Sequence, residues 1–489
     1  MNNEIKVFDP VETDADNLLL KISELETNSR KLELDSINKF EISNKTNDYI
    51  NNFIEQLPSE KAYKVKEIEK LKSIKIGDEG KPFEQLLDII RNEVDQAGIN
   101  SASGKHFGYI PGGGIWLSAV ADMLAAATNR YVGIYYSSPG AVTIENQLIR
   151  WLCSIVGYPN EAHGNLTSGG SIANLIAVKA ARDVHKINSA NIKKTVIYLT
   201  EHTHHCNYKA LNILGLDEAV IRKIPINSKF QMDAIALEKI VEADIKKKLK
   251  PFLVISTAGT TDTGAIDPLD LIADICEKNK IWLHIDAAYG GFFILVDELK
   301  EKFKGIERSD SIVMDPHKSL FIPYGSGTVL IKNGKHLLAS NSHQASYMQD
   351  AYGFDEISPS DSSPELSRHF RGLRMWIPLH LHGISVFRDN LYEKFLLCRY
   401  FYNKIKEMGF ETGPSPDLSI VCFRFPSKDR ELFNKRLIEA LLNDGRCFFS
   451  STLIKGEFWI RCAVLSFRSH LSEINTALKM ISENLKIIN

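Results

Sequence analysis

An α/β fold, with a mostly parallel sheet wrapped on both faces by helices, is predicted between residues 165 and 332, where short β-rich runs alternate with helical ones. Two observations complete the architecture. Residues 1 to about 99 are rich in Asn, Lys and Glu with heptad-like apolar spacing, and from about residue 390 strands and helices follow in the order of a small α+β domain. The expected division is therefore an N-terminal helical segment at 1–99, a large ligand-binding domain at 100–385 and a small C-terminal domain at 386–489.

Taken in order, Leu18, Leu20, Ile22 and Leu25 suggest exposed amphipathic helices that need a partner surface, with a solvated charged arm as the alternative for the first forty residues. At residue 100 the texture turns Gly-rich and apolar. The run GIWLSAVADMLAAATNRYVGIYY is interrupted by Asp122, Asn129 and Arg130, so it reads as a buried helix and its exit rather than a membrane span. TVIYLTE, PFLVISTAG, IWLHIDAA and SIVMDP read as strands, with DAIALEKIVEADIKKKL and DLIADICEKNK as helices between them. In the tail, LSIVCFRF, CFFSSTLI and EFWIRCAVLS are strands, RELFNKRLIEALLND is a helix, and an amphipathic helix closes the chain.

With 489 residues, two or three domains are expected. Hydrophobic residues at 44% and charged residues at 25% match a globular protein. Lys and Arg total 59 against 61 for Asp and Glu, a formal charge of -2, which leaves no long-range field for nucleic acid or an anionic membrane. Seven scattered cysteines without a close pair suit a reducing compartment. The start MNNEIKVFDPVETDAD lacks the basic and apolar regions of a secretory signal, so a cytoplasmic location is expected.

Ligands of such sheets gather at the carboxyl ends of strands, which singles out Asp286 and the tripeptide Pro316, His317, Lys318. Gly169, Gly170 and Ser171 open a predicted helix whose free N–H groups suit a phosphate, although a glycine pair there is more often ordinary packing. Neither GxGxxG nor GxxxxGK[ST] is present, so a nucleotide is not the natural inference. Asp286 is followed by Ala287, Ala288, Gly290 and Gly291, leaving room for a flat ring. It is either a cap or ion-pair partner, or a fixed negative charge that keeps a pyridine nitrogen protonated. Lys318 follows the apolar run Ile312, Val313, Met314. A solvated strand end is the plain alternative; desolvation would instead lower its pKa and free a neutral amine to condense with an aldehyde. Phosphate cradle, ring-facing carboxylate and amine in one sheet together describe a site for pyridoxal 5'-phosphate.

From about His106 onward the sequence resembles the group II pyridoxal phosphate-dependent decarboxylases, particularly the aromatic-L-amino-acid decarboxylases. The resemblance rests on HFGYIPGGG, YSSPGAVTIENQLIRWL, TSGGSIAN, HIDAAYGG, DPHKSL and LSRHFRGLRMW. It implies an aspartate aminotransferase-like fold (fold type I) with a seven-stranded sheet, and a homodimer with its active site at the interface. It further implies Lys318 as the cofactor's covalent anchor, Asp286 as partner of the ring nitrogen and Ala288 against the ring face. Gly169, Gly170 and Ser171 would hold the phosphate, helped by Thr261, Asp315 and His317.

EHTHHCNY invites a metal reading, but alternation in an extended segment leaves too few convergent ligands, and no metal is expected. The family register instead selects His204 to stack on the ring. It gives Arg368 the substrate α-carboxylate, leaving Arg371 and Arg374 to the surface, and gives Tyr347 the protonation of the carbanion, which favours an amine product. Tyr109, Ile110 and Pro111 supply an apolar substrate wall, and Ser367 hints at tyrosine-like substrates. The implied activity is decarboxylation of an aromatic L-amino acid to its amine. The family usually carries tryptophan where Ser319 stands, asparagine at Asp315 and bulkier residues at Gly112 to Gly114, so an aliphatic or acidic substrate stays open, as do aldehyde-synthase and transaminase chemistry. A non-catalytic cofactor-binding protein is disfavoured, since Tyr347 and Arg368 would have no task.

Overall fold

Apolar runs that are buried on both faces build the centre of the molecule, and their side chains divide by strand alternation. Ile197, Leu199, Leu253, Ile255, Val313 and Val329 pack on one side of the sheet, while Val196, Tyr198, Val254, Ile285, Ile312 and Leu330 pack on the other. The computed structural model describes residues 15–342 and 356–488.

Seven strands form this sheet: β1 (His163–Thr167), β2 (Thr195–Leu199), β3 (Val220–Lys223), β4 (Lys250–Thr257), β5 (Trp282–Asp286), β6 (Ser311–Met314) and β7 (Gly327–Ile331). Their spatial order is β1-β7-β6-β5-β4-β2-β3. β7 runs antiparallel to both neighbours and every other pairing is parallel. The helix Gly170–Val184 packs against β7 and β6, and the helices Ala234–Lys246 and Leu269–Asn279 pack against β4. Register matters for the site. Asp286 lies opposite both Thr257 of β4 and Val313 of β6, so three strand ends finish level with one another.

The run Gly372–Glu407 is interrupted at Gly383, whose φ of +70° lies where side-chain-bearing residues are strained. Beyond it a four-stranded antiparallel sheet is built from β8 (Glu411–Thr412), β9 (Ile420–Arg424), β10 (Ser450–Ile454) and β11 (Glu457–Ala463), in the order β8-β9-β11-β10. The helix Leu471–Ile488 buries Ile474, Ala477, Met480 and Ile481, an i, i+3, i+4 stripe, against the same core as Phe423 and Ile460.

Two compact units divide the chain: Met1–Ser59 with Glu67–Gln96, and Glu60–Lys66 with Ala97–Asn489. In the first, the helices Ala15–Ser29 and Ser36–Gln56 are consecutive, the second capped by Asp35 accepting from the Asn38 amide. Leu18, Leu20, Ile22 and Leu25 are exposed. In the second unit, Tyr63–Lys64 pairs with Gly98–Ile99, so residues 60–66 belong with the body rather than with the N-terminal segment. Among the described residues no helix is long and apolar enough to cross a membrane.

Asp310, just ahead of β6, accepts from the Leu283 amide at 2.8 Å, and burial raises its carboxyl to about 6. A folded-state pKa above the unfolded value means that ionisation above about pH 6 costs stability, while below about pH 4 both states hold the proton. Asp310→Asn keeps an acceptor for Leu283. It is expected to stabilise the fold by about 1–2 kcal/mol at pH 8 and by nothing at pH 4, as read from urea unfolding.

Candidate active site

Because β5 and β6 are parallel and in register, the chain leaving each one meets the other. The Ala287 amide donates to the Val313 carbonyl at 2.9 Å and the Asp315 amide to the Ala288 carbonyl at 3.1 Å. The helical turn Pro316–Ser319 then starts with proline at its first position and presents Lys318 to the level of Asp286. Gly169, Gly170, Ser171, His204, Thr261, Asp286, Ala288, Asp315, His317 and Lys318 all line one open cleft of about 260 Å³.

Lys318 Nζ stands 3.0 Å from Asp315 Oδ2. Burial pulls this ammonium down, but the charges of Asp315 and Asp286 outweigh it, so its pKa lies above the ordinary lysine value. Desolvation alone predicted the opposite direction; the correction comes from the two carboxylates. Asp315 is the acceptor that holds this ammonium. As an acceptor-only group it cannot donate to a phosphate, which corrects the role expected of it. Its partner is the amine.

Asp286 is buried at 5% exposure, and three donors converge on it. Asn207 Nδ2 reaches Oδ2 at 2.9 Å, Asn174 Nδ2 reaches the same oxygen at 3.3 Å, and the Ala288 amide reaches Oδ1 at 3.2 Å. His204 caps the helix His205–Ile213, its Nδ1 accepting from the Cys206 amide at 3.3 Å, so its other nitrogen carries the hydrogen. Burial lowers the pKa of His204 and of His317 and keeps both rings neutral. His317 Nδ1 donates to the Ser326 carbonyl.

The helix Gly170–Val184 has no side-chain cap, leaving its first turn for a ligand. Gly169 adopts φ +155°, a Cβ on Gly170 would lie 2.7 Å from Asp315 Oδ2, and one on Gly327 would lie 2.5 Å from the Gly169 carbonyl carbon. Only bare backbone fits there. A cradle open to an anion, a carboxylate held as an acceptor, an imidazole and an amine match the phosphate, ring nitrogen, ring face and aldehyde of pyridoxal phosphate.

Arg368 does not line this cleft. Its side chain is 0% exposed, bound to Glu145 of the helix Pro139–Ile155 and to the Leu166 carbonyl. Arg371 pairs with Glu365 at 2.8 Å, and Arg374 with Asp122, so neither belongs to a solvated face. These are corrections: each guanidinium already has a carboxylate, distant in the chain for Arg368 and Arg374 and six residues back for Arg371. Arg368→Gln is accordingly expected to cost about 3–5 kcal/mol in unfolding free energy, because Glu145 is left buried and unpaired. A raised KM at unchanged stability would return Arg368 to the substrate.

Tyr109 and Ser367 are exposed, Ile110 packs on the main core and Pro111 is buried, and none of the four lines the cleft. Tyr347 lies outside the described residues. Sequence reasoning missed Asn174 and Asn207. Asn174 stands one helical turn after Gly170 in TSGGSIAN, a spacing that puts it on the cradle's face of the helix. Among the described residues, no three His, Cys, Asp or Glu side chains converge as a metal ion requires.

A family profile described as the pyridoxal-dependent decarboxylase conserved domain matches residues 66–426. The chain belongs to that decarboxylase family. The decarboxylase is 34% identical over 421 residues to an aromatic-L-amino-acid decarboxylase of Bacillus atrophaeus, covering 83% of this chain and 86% of the relative. It is 29% identical over 366 residues to an acidic amino acid decarboxylase of Xenopus tropicalis, covering 73% and 71%. Among solved structures, that of Oryza sativa TDC with PLP and tryptamine superposes with a TM-score of 0.87 at 23% identity, over 93% of this chain and 99% of the other, a likeness of fold. The decarboxylase is therefore a fold type I enzyme that uses pyridoxal phosphate to decarboxylate an amino acid.

Proposed function

We propose that this decarboxylase converts an aromatic L-amino acid to its amine and carbon dioxide, working as a homodimer in the cytoplasm. The observation that carries the chemistry is the meeting of Lys318 and Asp286 in one cleft at the ends of adjacent parallel strands. Bound pyridoxal phosphate supplies an electron sink for the pair left on the α-carbon when carbon dioxide departs. Lys318 would be the amine that anchors the cofactor's aldehyde, with Asp315 beside it at 3.0 Å. Gly169, Gly170 and Ser171 would hold the phosphate, with Thr261 and His317 beside them, and His204 and Ala288 would flank the ring. Orientation and exclusion of water are the protein's contribution.

The 34% identical relative supports an aromatic substrate. The amine product rests on Tyr347. A homodimer accounts for Tyr109 and Ser367, which as wall residues would serve a neighbouring copy, and for the exposed Trp116, Met123 and Leu124 on the helix Trp116–Thr128. Seven free, buried cysteines suit a reducing compartment. Carbon dioxide release across the common amino acids, with sedimentation of the holoenzyme, tests the reading. Turnover of glutamate or aspartate in preference to tyrosine, phenylalanine and tryptophan would overturn it.

A further inference from the structure

His284 sits two residues before Asp286 on β5, so both side chains leave the same face of the strand. It is 0% exposed, as are Asn174 and Ser311, and Trp282 is 3% exposed. In so dry a place every hydrogen needs an acceptor, and the partners fix where each one points. Asn174 Nδ2 faces the Gly170 carbonyl at 2.9 Å and Asp286 Oδ2 at 3.3 Å, both acceptors, so the amide oxygen must be the atom turned to His284. His284 Nε2 lies 2.7 Å from that oxygen and must carry the ring hydrogen. In the neutral ring, Nδ1 is then an acceptor, served by the Ser311 hydroxyl at 2.8 Å. Ser311 Oγ is free to donate because it accepts the Trp282 indole N–H, also at 2.8 Å. Burial pushes the imidazole down to about 4, so the ring is neutral near pH 7.

All four links point the same way, from Trp282 through Ser311, His284 and Asn174 to Asp286. We propose that His284 is a positioning residue: acting through the Asn174 amide, it fixes Asp286 as an acceptor for the proton on the cofactor's pyridine nitrogen. This deepens, and rests on, the pyridoxal phosphate reading of the cleft. Without His284 the Asn174 oxygen is left buried without its donor, and rotating the amide relieves it only by setting that oxygen against Asp286 Oδ2 and the Gly170 carbonyl. The carboxylate then loses a donor and gains a repulsion, and its hold on the ring proton weakens.

The test uses holoenzyme loaded with pyridoxal phosphate labelled with 15N in the ring. The pyridine nitrogen of the wild-type enzyme should show the chemical shift of the protonated form. In His284→Leu it should move toward the unprotonated form, with kcat falling about 10–100-fold and KM within about twofold of wild type. His284→Gln, whose amide can still donate to Asn174, should recover the shift and most of the rate. Should the Leu variant not fold, His284→Asn, polar but too short to reach Asn174, should move the nitrogen shift in its place. A folded Leu or Asn variant with the wild-type nitrogen shift overturns the proposal whatever its rate, and so does a Gln variant as impaired as Leu. Wild-type protein that takes up no cofactor would instead overturn the reading of the cleft itself.

Discussion

Lys318→Ala should release carbon dioxide at least about 10,000-fold more slowly than the wild-type enzyme, about 5.4 kcal/mol of barrier, and borohydride should no longer fix the cofactor to the chain. The amine does two jobs, and removing it undoes both. In the proposed reading it is the nucleophile toward the aldehyde, and it is the cation 3.0 Å from Asp315. Asp315 is 1% exposed and its Oδ1 already lacks a partner, so without the ammonium the nearest cationic candidate is His317 Nε2 at 3.8 Å, on a ring that burial keeps neutral. A loss of about 3 kcal/mol in stability is expected alongside the loss of turnover. The double variant Lys318→Ala with Asp315→Asn separates the two effects. Urea unfolding should return toward wild type because the unpaired charge is gone, while carbon dioxide release should stay lost. Turnover above about one hundredth of wild type in the single variant would mean that another group performs the condensation.

How far the site could be read from the sequence depended on how far apart its partners lie. Gly169, Gly170, Asp286 and Lys318 announce themselves locally, since each ends or begins an element whose apolar pattern is plain, and the parallel-sheet rule places such ends together. Arg368 shows the opposite case. Its carboxylate, Glu145, is 223 residues away, so the chain near 368 shows three arginines at helical spacing and nothing of what neutralises Arg368. Lys318 lies between. Its partner Asp315 is three residues back, in plain view, but the second charge that lifts its pKa comes from β5 and is visible only after β5 and β6 are paired. His284 was overlooked inside IWLHIDAA because a histidine in an apolar strand carries no local signal; its meaning comes from Asn174, 110 residues earlier on a helix. Likewise the pairing of Tyr63–Lys64 with Gly98–Ile99 is too short to leave a periodicity, which is why the body of the protein begins earlier than the change of texture at residue 100 indicated.

Asp286→Asn should be almost as damaging as loss of the lysine, although it removes one charge and hardly any volume. The carboxylate is engaged at both oxygens: Oδ2 by Asn207 and Asn174, and Oδ1 by the Ala288 amide. An asparagine offers one oxygen and one NH₂. If the oxygen keeps Asn207 and Asn174, the NH₂ meets the Ala288 N–H; if the amide turns over, it meets two side-chain NH₂ groups instead. Either way a donor faces a donor in a buried site, and the negative charge that would hold the ring nitrogen's proton is absent. A fall in kcat of about 1,000-fold is expected, with KM little changed because the substrate is not what Asp286 touches. The absorption spectrum of the bound cofactor should change at the same time, since the ring loses its charge partner. Asp286→Glu should not rescue the enzyme, because the longer side chain carries the carboxylate away from Asn207, Asn174 and the Ala288 amide, which hold it in place. An Asn variant that keeps kcat within tenfold of wild type would show that the ring nitrogen is held by some other group, and the pairing of Asp286 with the cofactor would have to be abandoned.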